Sequence, residues 1–169
     1  MSARRRRGLR SALALAATAI VGGVGHANAP PGQYATFGRT DVCISDLWTK
    51  LTWMRAPLAS PLSFSAAAAS CPAGWRVPSV NELETLVDEN PHEELENGQL
   101  LPKAIDANAF PATPVTYPYW TSSVIPGGGQ TAWAVNFQDG STLSAPTSEP
   151  QQVRCVIVTP VGSTPAACQ

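Results

Sequence analysis

Cys71-Pro-Ala-Gly-Trp-Arg-Val-Pro-Ser-Val-Asn-Glu-Leu-Glu-Thr-Leu-Val-Asp88 sets a cysteine, a short Trp-Arg-Val-Pro extended piece and the start of a helix in one run. Ser79 is a natural N-cap, and Glu82 follows three residues later, the spacing at which each side chain caps the other's backbone N–H. Val80, Leu83, Leu86 and Val87 recur at helical spacing, so the run predicts a helix from 80 to about 88 with one apolar face. These residues speak to architecture; none of them specifies a reaction.

Upstream, the alanine-rich stretch 63–70 predicts a first helix that stops before Cys71-Pro72. Residues 42–46 and 51–55 predict two short strands with a turn around Trp48-Thr49-Lys50, and 55–61 is a loop carrying two prolines. Downstream, the acidic run 88–98, with Pro91 and Gly98, reads as a solvated loop. Residues 100–118 carry four prolines and little periodicity. They read as a long irregular excursion anchored by Ile105 and Phe110, a kind of loop that is uncommon unless it carries function or packs by its own side chains. A strand follows at 119–122, then a flexible turn at Gly127, Gly128 and Gly129. Residues 131–137 alternate, with Trp133, Val135 and Phe137 on one face; Asp139-Gly140 is a hairpin turn, and 141–144 returns. A last apolar strand spans 153–158. Strands at both ends, two early helices and a late hairpin predict an α+β domain with its termini side by side. The organisation read from the chain is a signal peptide at 1–29, a leader at 30–39, the domain at 40–158 and a tail at 159–169.

The first 29 residues carry a basic start, Arg4 to Arg7 and Arg10, then an apolar run from Leu13 to Val24 too short for a stable membrane anchor. Ala27-Asn28-Ala29 completes an A-x-A cleavage site, so the mature chain is expected to begin at Pro30, to be secreted, periplasmic or surface-held, and to have no stable membrane insertion. Removal of the signal takes five of the eleven basic residues and none of the twelve acidic ones, leaving a formal charge near −6. Such a domain is poorly suited to nucleic acid or other polyanions. An anionic ligand would need a local patch, and Arg39, Lys50, Arg55, Lys103 and Arg154 are the candidates. Cys43, Cys71, Cys155 and Cys168 remain, an even number that in an exported chain predicts disulfides, with three pairings open.

Eight short segments resemble one family in order and spacing. They are Leu51-Thr-Trp-Met-Arg55, Trp75-Arg-Val-Pro-Ser79, Asn81-Glu-Leu83, Ala104-Ile-Asp106, Phe110-Pro111, Tyr119-Trp-Thr-Ser-Ser123, Ala132-Trp-Ala-Val-Asn-Phe-Gln-Asp-Gly140 and Val153-Arg-Cys-Val156. Together, over roughly residues 40–158, they are similar to the C-terminal domain of the Legionella collagen-like adhesin. That resemblance implies a C-type-lectin-like fold, in the class α+β with two short helices, small antiparallel sheets and long loops, and a disulfide-stapled frame. It implies the pairs Cys71–Cys155 and Cys43–Cys168. It also implies a surface or periplasmic module of the kind associated with glycosaminoglycan and other polysaccharide binding. The Trp-Arg-x-Pro run is similar to one in formylglycine-generating enzymes. Two departures stand out: Lys50 occupies a position where the family usually has glycine, and the acidic mature chain lacks collagen-like repeats.

Each candidate residue carries two readings. Arg76 is a ligand clamp or, more simply, a partly buried arginine paired with Glu82. Trp48, Trp53, Trp75, Trp120 and Trp133 are a sugar-stacking platform or core; strand alternation assigns Trp75, Trp120 and Trp133 to the core and leaves Trp48 at an exposed turn. Asn136, Asp139 and Glu149 lie where C-type lectins hold calcium, yet Gln151 follows Glu149-Pro150 and Asp139-Gly140 is explained as a turn. The acidic run 88–96 lacks an EF-hand's ligand pattern. His92-Glu93-Glu94 does not continue to a second histidine, and neither a hydrolase nor a phosphate-loop motif occurs. No metal, cofactor or catalytic residue is therefore expected. Neutral stacking and hydrogen-bonding groups in the irregular stretches, Tyr117, Gln130, Asn136 and Gln138, are the expected ligand-binding set, flanked by Tyr119, Thr121 and Ser122. The expected function is a non-enzymatic exported module binding a polysaccharide or cell-surface protein. The alternatives are a structural surface component or a thiol- or copper-dependent oxidoreductase, which would need free cysteines.

Overall fold

Residues 151–158 bond along their backbone to the first and third sheets and to the loops between them. The computed structural model describes residues 29–37, 42–111, 113–159 and 163–169; Arg39 and all but the last residue of the proposed signal lie outside these. Gln151 exchanges backbone bonds with Leu62, Gln152 with Pro118 and Trp120, and Leu58 N–H donates to Val153 O. Met54 N–H donates to Cys155 O, and Val156 exchanges two bonds of 2.9 and 3.0 Å with Arg76. The Trp-Arg-Val-Pro piece is thus zipped onto the last strand.

The described strands form three antiparallel sheets. The first has the order β1 (Tyr34–Phe37), β2 (Cys43–Asp46), β3 (Leu51–Met54) and, at the far edge, β9 (Val156–Val158). The second is a two-stranded ribbon of β4 (Val87–Glu96) and β5 (Gln99–Ile105). The third has the order β6 (Tyr119–Val124), β7 (Thr131–Val135) and β8 (Thr142–Pro146). Two helices, α1 (Phe64–Ala68) and α2 (Val80–Glu84), pack on the third sheet, and a 3₁₀ turn closes the chain at Ala166–Cys168. The class is a disulfide-stapled α+β fold. Cys71–Cys155 ties the end of the α1 region to the 151–158 stretch, and Cys43–Cys168 ties β2 to the tail. These are the two pairs that the family resemblance implies. Their ends lie 84 and 125 residues apart, so chain entropy alone gives each roughly 4–5 kcal/mol.

Local chemistry explains the elements. At α2, Ser79 Oγ accepts the Glu82 N–H and the Glu82 carboxylate accepts the Ser79 N–H, a complete capping box. The helix ends at Glu84, earlier than expected, because Val87 leaves to pair with Ile105. The run 88–98 is a strand and turn, not a solvated loop. Asn97 and Gly98 both have positive φ, 52° and 81°, as a two-residue hairpin turn demands. The first half of 100–118 is likewise the strand β5, and only 106–118 is irregular. The leader is also structured: β1 adds an edge to the first sheet, in register Tyr34↔Asp46 to Phe37↔Cys43. Lys50, where the resemblance expects glycine, keeps the left-handed backbone with φ 62°.

The core falls into two contiguous clusters. One gathers Ile44, Trp53, Leu83, Leu86, Phe110, Tyr119, Val135 and Phe137; the other gathers Trp75, Val77, Trp120, Ala132, Ala134, Val153 and the buried cysteines. Between the first cluster and the irregular segment lies Arg154, fully buried. Its Nη1 donates to Met54 O at 2.8 Å and to Arg55 O, and its Nη2 donates to Thr113 Oγ1 at 2.8 Å. The guanidinium lies 4.8 Å from the Phe110 ring centre and 5.7 Å from that of Tyr119. Replacing Arg154 by Met should cost about 3 kcal/mol, because buried acceptors lose their donor, and Arg154→Lys should recover less than half, lacking the planar fork. Urea denaturation of the two variants against the parent measures both.

Candidate functional site

Of the four residues expected to bind ligand, Tyr117, Asn136 and Gln138 lie at one end of β7 and Gln130 at the other. Gln130 lies beside Thr147 at one end of β7, accepting its N–H through the backbone carbonyl. Asn136 and Gln138 sit in the turn at the other end, roughly 20 Å away at about 3.4 Å per strand residue. Asn136 is spent on that turn, its Oδ1 accepting the Gln138 N–H and its backbone bonding Ser141 and Gly140. Tyr117 is exposed just before β6, whose Tyr119 pairs with Val135, so it shares the Asn136 end. Asp139 is occupied in the same turn by the Ser141 N–H and hydroxyl. Trp75 and Trp120 are buried, the latter donating from its indole to Leu62 O, while Trp133 is only half-buried and belongs to neither cluster. Trp48 projects at 62% exposure from a turn in which Asp46 accepts the N–H groups of residues 48 and 49.

Arg76 makes a two-pronged pair with Glu82 at 2.6 and 2.7 Å. The pairing is as read from the sequence, but the burial is not: the Arg76 side chain is 47% exposed. The buried arginine is Arg154. Three of the basic candidates are spent internally. Arg55 donates to Ala109 O and Asn108 O, Arg154 is engaged as described, and Lys103 is buried against Glu94 at 3.2 Å, Glu96 at 3.1 Å and Thr113 O at 2.9 Å. Burial works to raise the Glu96 carboxyl, but the Lys103 ammonium and the donors of Thr116 and Val115 outweigh it and hold it below the usual range. No basic patch forms among the described residues.

Concave surface occurs elsewhere. A cleft of about 450 Å³ lies between the N-terminal stretch, the end of α2 and the start of β4, walled by Pro30, Tyr34, Asp88, Glu89, Asn90 and Asp106. A second of about 300 Å³ adjoins it and shares Ala29, Pro30, Tyr34 and Asp106. Pro30 to Gln33 is a tight turn, closed by Gln33 N–H to Pro30 O at 3.0 Å, with Gly32 at φ 85° in the position that requires glycine. The turn delivers Tyr34, whose ring meets Phe110 edge-on at 5.3 Å between centres. Asp106 is nearly buried; its Oδ1 accepts the N–H groups of Asn108 and Ala109 and its Oδ2 that of Ala29 at 2.7 Å. Asp88 Oδ1 accepts the Asn90 N–H, while Oδ2 is buried with no partner among the described residues. Burial first, then the charges of Asp46, Asp106 and Asp88, push the Tyr34 phenol well above its ordinary range, against the opposing pull of Arg154. No lysine or arginine among the described residues lines either cleft. An aromatic wall with carboxylates and an amide can hold hydroxyl or ammonium groups and repels anions.

The Lcl C-terminal domain family matches residues 42–157. The chain belongs to this family. No curated protein matches the sequence. As an Lcl C-terminal domain it is of an adhesin-associated type, and its two disulfides suit an extracellular or surface setting. No helix among the described residues is long and apolar enough to cross a membrane. The family match begins after β1 and ends before Cys168, so Pro30, Gln33 and Tyr34 lie outside the matched span. Sequence patterning missed the clefts because their walls come from four separate stretches; the signal available was the Pro-Pro-Gly-Gln turn at 30–33 followed by Tyr34.

The Arg76–Glu82 pair leaves a pH signature. The Arg76 fork, and then the Ser79 donors, hold the Glu82 carboxyl down to about 2 against the opposing effect of burial. A folded pKa below the unfolded one gives stability that is fully present above the unfolded value and is lost as pH falls toward the folded one. Glu82→Gln should therefore flatten the loss of stability between about pH 4.5 and 2. Because Arg76 is half-exposed, Arg76→Ala should cost only about 1 kcal/mol at neutral pH, read as a shift in denaturation midpoint.

Proposed function

We propose that this chain is an exported, non-enzymatic binding module that holds a polysaccharide or a cell-surface protein, and that the ligand seats in the paired clefts around Tyr34. The contiguous concavity on both sides of that one aromatic ring carries the reading. Sugars stack an apolar face on an aromatic side chain and hydrogen-bond their hydroxyls to carboxylates and amides, the groups that Asp88, Glu89 and Asn90 supply. The acidic lining and the internal use of Lys103 and Arg154 favour a neutral or amine-bearing ligand over a sulfated one. The thiol-dependent alternative loses its reactive group, since all four cysteines are in disulfides. A purely structural surface component is the second reading, favoured by the exposed Leu95 and Leu100 paired on the projecting ribbon.

A glycan array and a cell-attachment assay on the exported protein decide between them. Tyr34→Leu and Glu89→Gln should weaken binding about tenfold or more, while Tyr117→Ala, Gln130→Ala and Gln138→Ala should bind like the parent. Loss confined to the second group, with the cleft variants unchanged, moves the site to the Tyr117 end. Absence of any glycan or cell attachment leaves the structural reading.

A further inference from the structure

Ala29 is the last residue of the expected signal peptide, and its N–H is bonded to one of the few nearly buried carboxylates in the molecule. Asp106 is 8% exposed, and Oδ1 is occupied by two backbone N–H groups. The only partner of Oδ2 among the described residues is the neutral amide of Ala29, at 2.7 Å. No ion pair reaches Asp106 among the described residues, and Asp88 and Glu89 line the same cleft. A nearly buried carboxylate whose second oxygen meets only a neutral amide is a ready seat for a cation.

We propose that the cation is the chain's own new N-terminus: removal of residues 1–29 makes Pro30 an ammonium that takes the place of the Ala29 amide on Asp106. In the precursor Pro30 has a tertiary amide nitrogen with no hydrogen. Hydrolysis of the Ala29–Pro30 bond gives the leaving segment a carboxylate and gives Pro30 a protonated secondary amine with two N–H donors. That nitrogen lies within about 4 Å of the Ala29 nitrogen by covalent geometry. It cannot drift far, because the turn closed by Gln33 N–H on Pro30 O and the pairing of β1 with β2 hold the chain behind it. Processing also removes Ala29, which walls both clefts, so the same cut that charges the terminus clears the surface around Tyr34. The mature N-terminus is in this account a structural ligand of the domain, and a precursor that lacks it is the less stable form.

The inference rests on the cleavage reading, and the two fail separately. Intact mass of the exported protein tests the cleavage: a first residue other than Pro30 overturns both. Given a Pro30 start, the chain beginning at Pro30 and the same chain still carrying residues 27–29 are each made with Asp106 and with Asp106→Asn, which keeps an acceptor for Asn108 and Ala109. In the Pro30 form the substitution should lower the folding constant about tenfold more than in the extended form, the difference between a charge-assisted and a neutral hydrogen bond. Carbamylation of the Pro30 amine, with Asp106 intact, should reproduce that loss. Equal losses in both forms, or no effect of carbamylation, would show that Asp106 serves only its backbone donors.

Discussion

A guanidinium with no carboxylate partner among the described residues sits at the centre of this domain, and the fold is arranged to keep it. Full burial disfavours the charged form of Arg154 and lowers its pKa, against which the nearby Tyr119 pulls the other way. An arginine nonetheless remains charged in proteins, so its surroundings must replace water. They do so with the carbonyls of Met54 and Arg55, the hydroxyl of Thr113 and the faces of Phe110 and Tyr119. These groups come from the end of β3, from the irregular segment and from β6. A single side chain therefore fixes the relative position of the first sheet, the third sheet and the stretch that has no ladder of its own. The Tyr119 hydroxyl, donating to Pro114 O, fastens the same stretch from the other side. Cys155, the next residue, carries the disulfide to Cys71, so the covalent staple and the buried charge act on adjacent positions of the 151–158 stretch.

Lys103 extends the same logic to the ribbon. Four glutamates on β4 would repel one another in a free hairpin. Glu94 and Glu96 face inward, where the buried ammonium neutralises them and Thr116 and Val115 donate to Glu96. The outward face keeps Glu93, Leu95, Leu100 and Pro102. Lys103 and Arg154 are thus held in the interior, while Asp88 and Glu89 line the clefts.

What could be read from the sequence was whatever short-range rules govern. The capping box of Ser79 and Glu82, the strands at 42–46 and 51–55 and the hairpin at Asp139-Gly140 follow from local spacing, and the structure has them. Misreadings arose where composition was allowed to outrank geometry. The run 88–98 looked solvated because it is acidic, yet Asn97-Gly98 is the strongest two-residue hairpin signal there is, and the unfavourable charges are met by a lysine that lies seven residues beyond Glu96. Residues 34–37 looked like leader because Pro30, Pro31 and Gly32 precede them, although that triplet makes the turn that aims them. Arg76 and Arg154 show the harder limit. Both lie beside strand residues, and only the three-dimensional path decides that the first meets a glutamate at the surface and the second a cage of carbonyls and rings.

The candidate site was the least legible part, and for a related reason. Tyr117, Asn136 and Gln138 lie at one end of the third sheet, while the strand carries Gln130 to the opposite end. The clefts instead form where an N-terminal strand outside the span of the family match is laid across the family scaffold. Within residues 42–157 the buried arginine, the capping box and Cys71–Cys155 account for the rigidity of the domain. Outside it, Tyr34 and the turn before it supply one wall, and Cys168 anchors the far end of the chain to Cys43, the first residue of β2 and the partner of Phe37. Residues inside the match thus hold the frame of the domain, and the stretch from Pro30 to Phe37 outside it completes the concave surface around Tyr34.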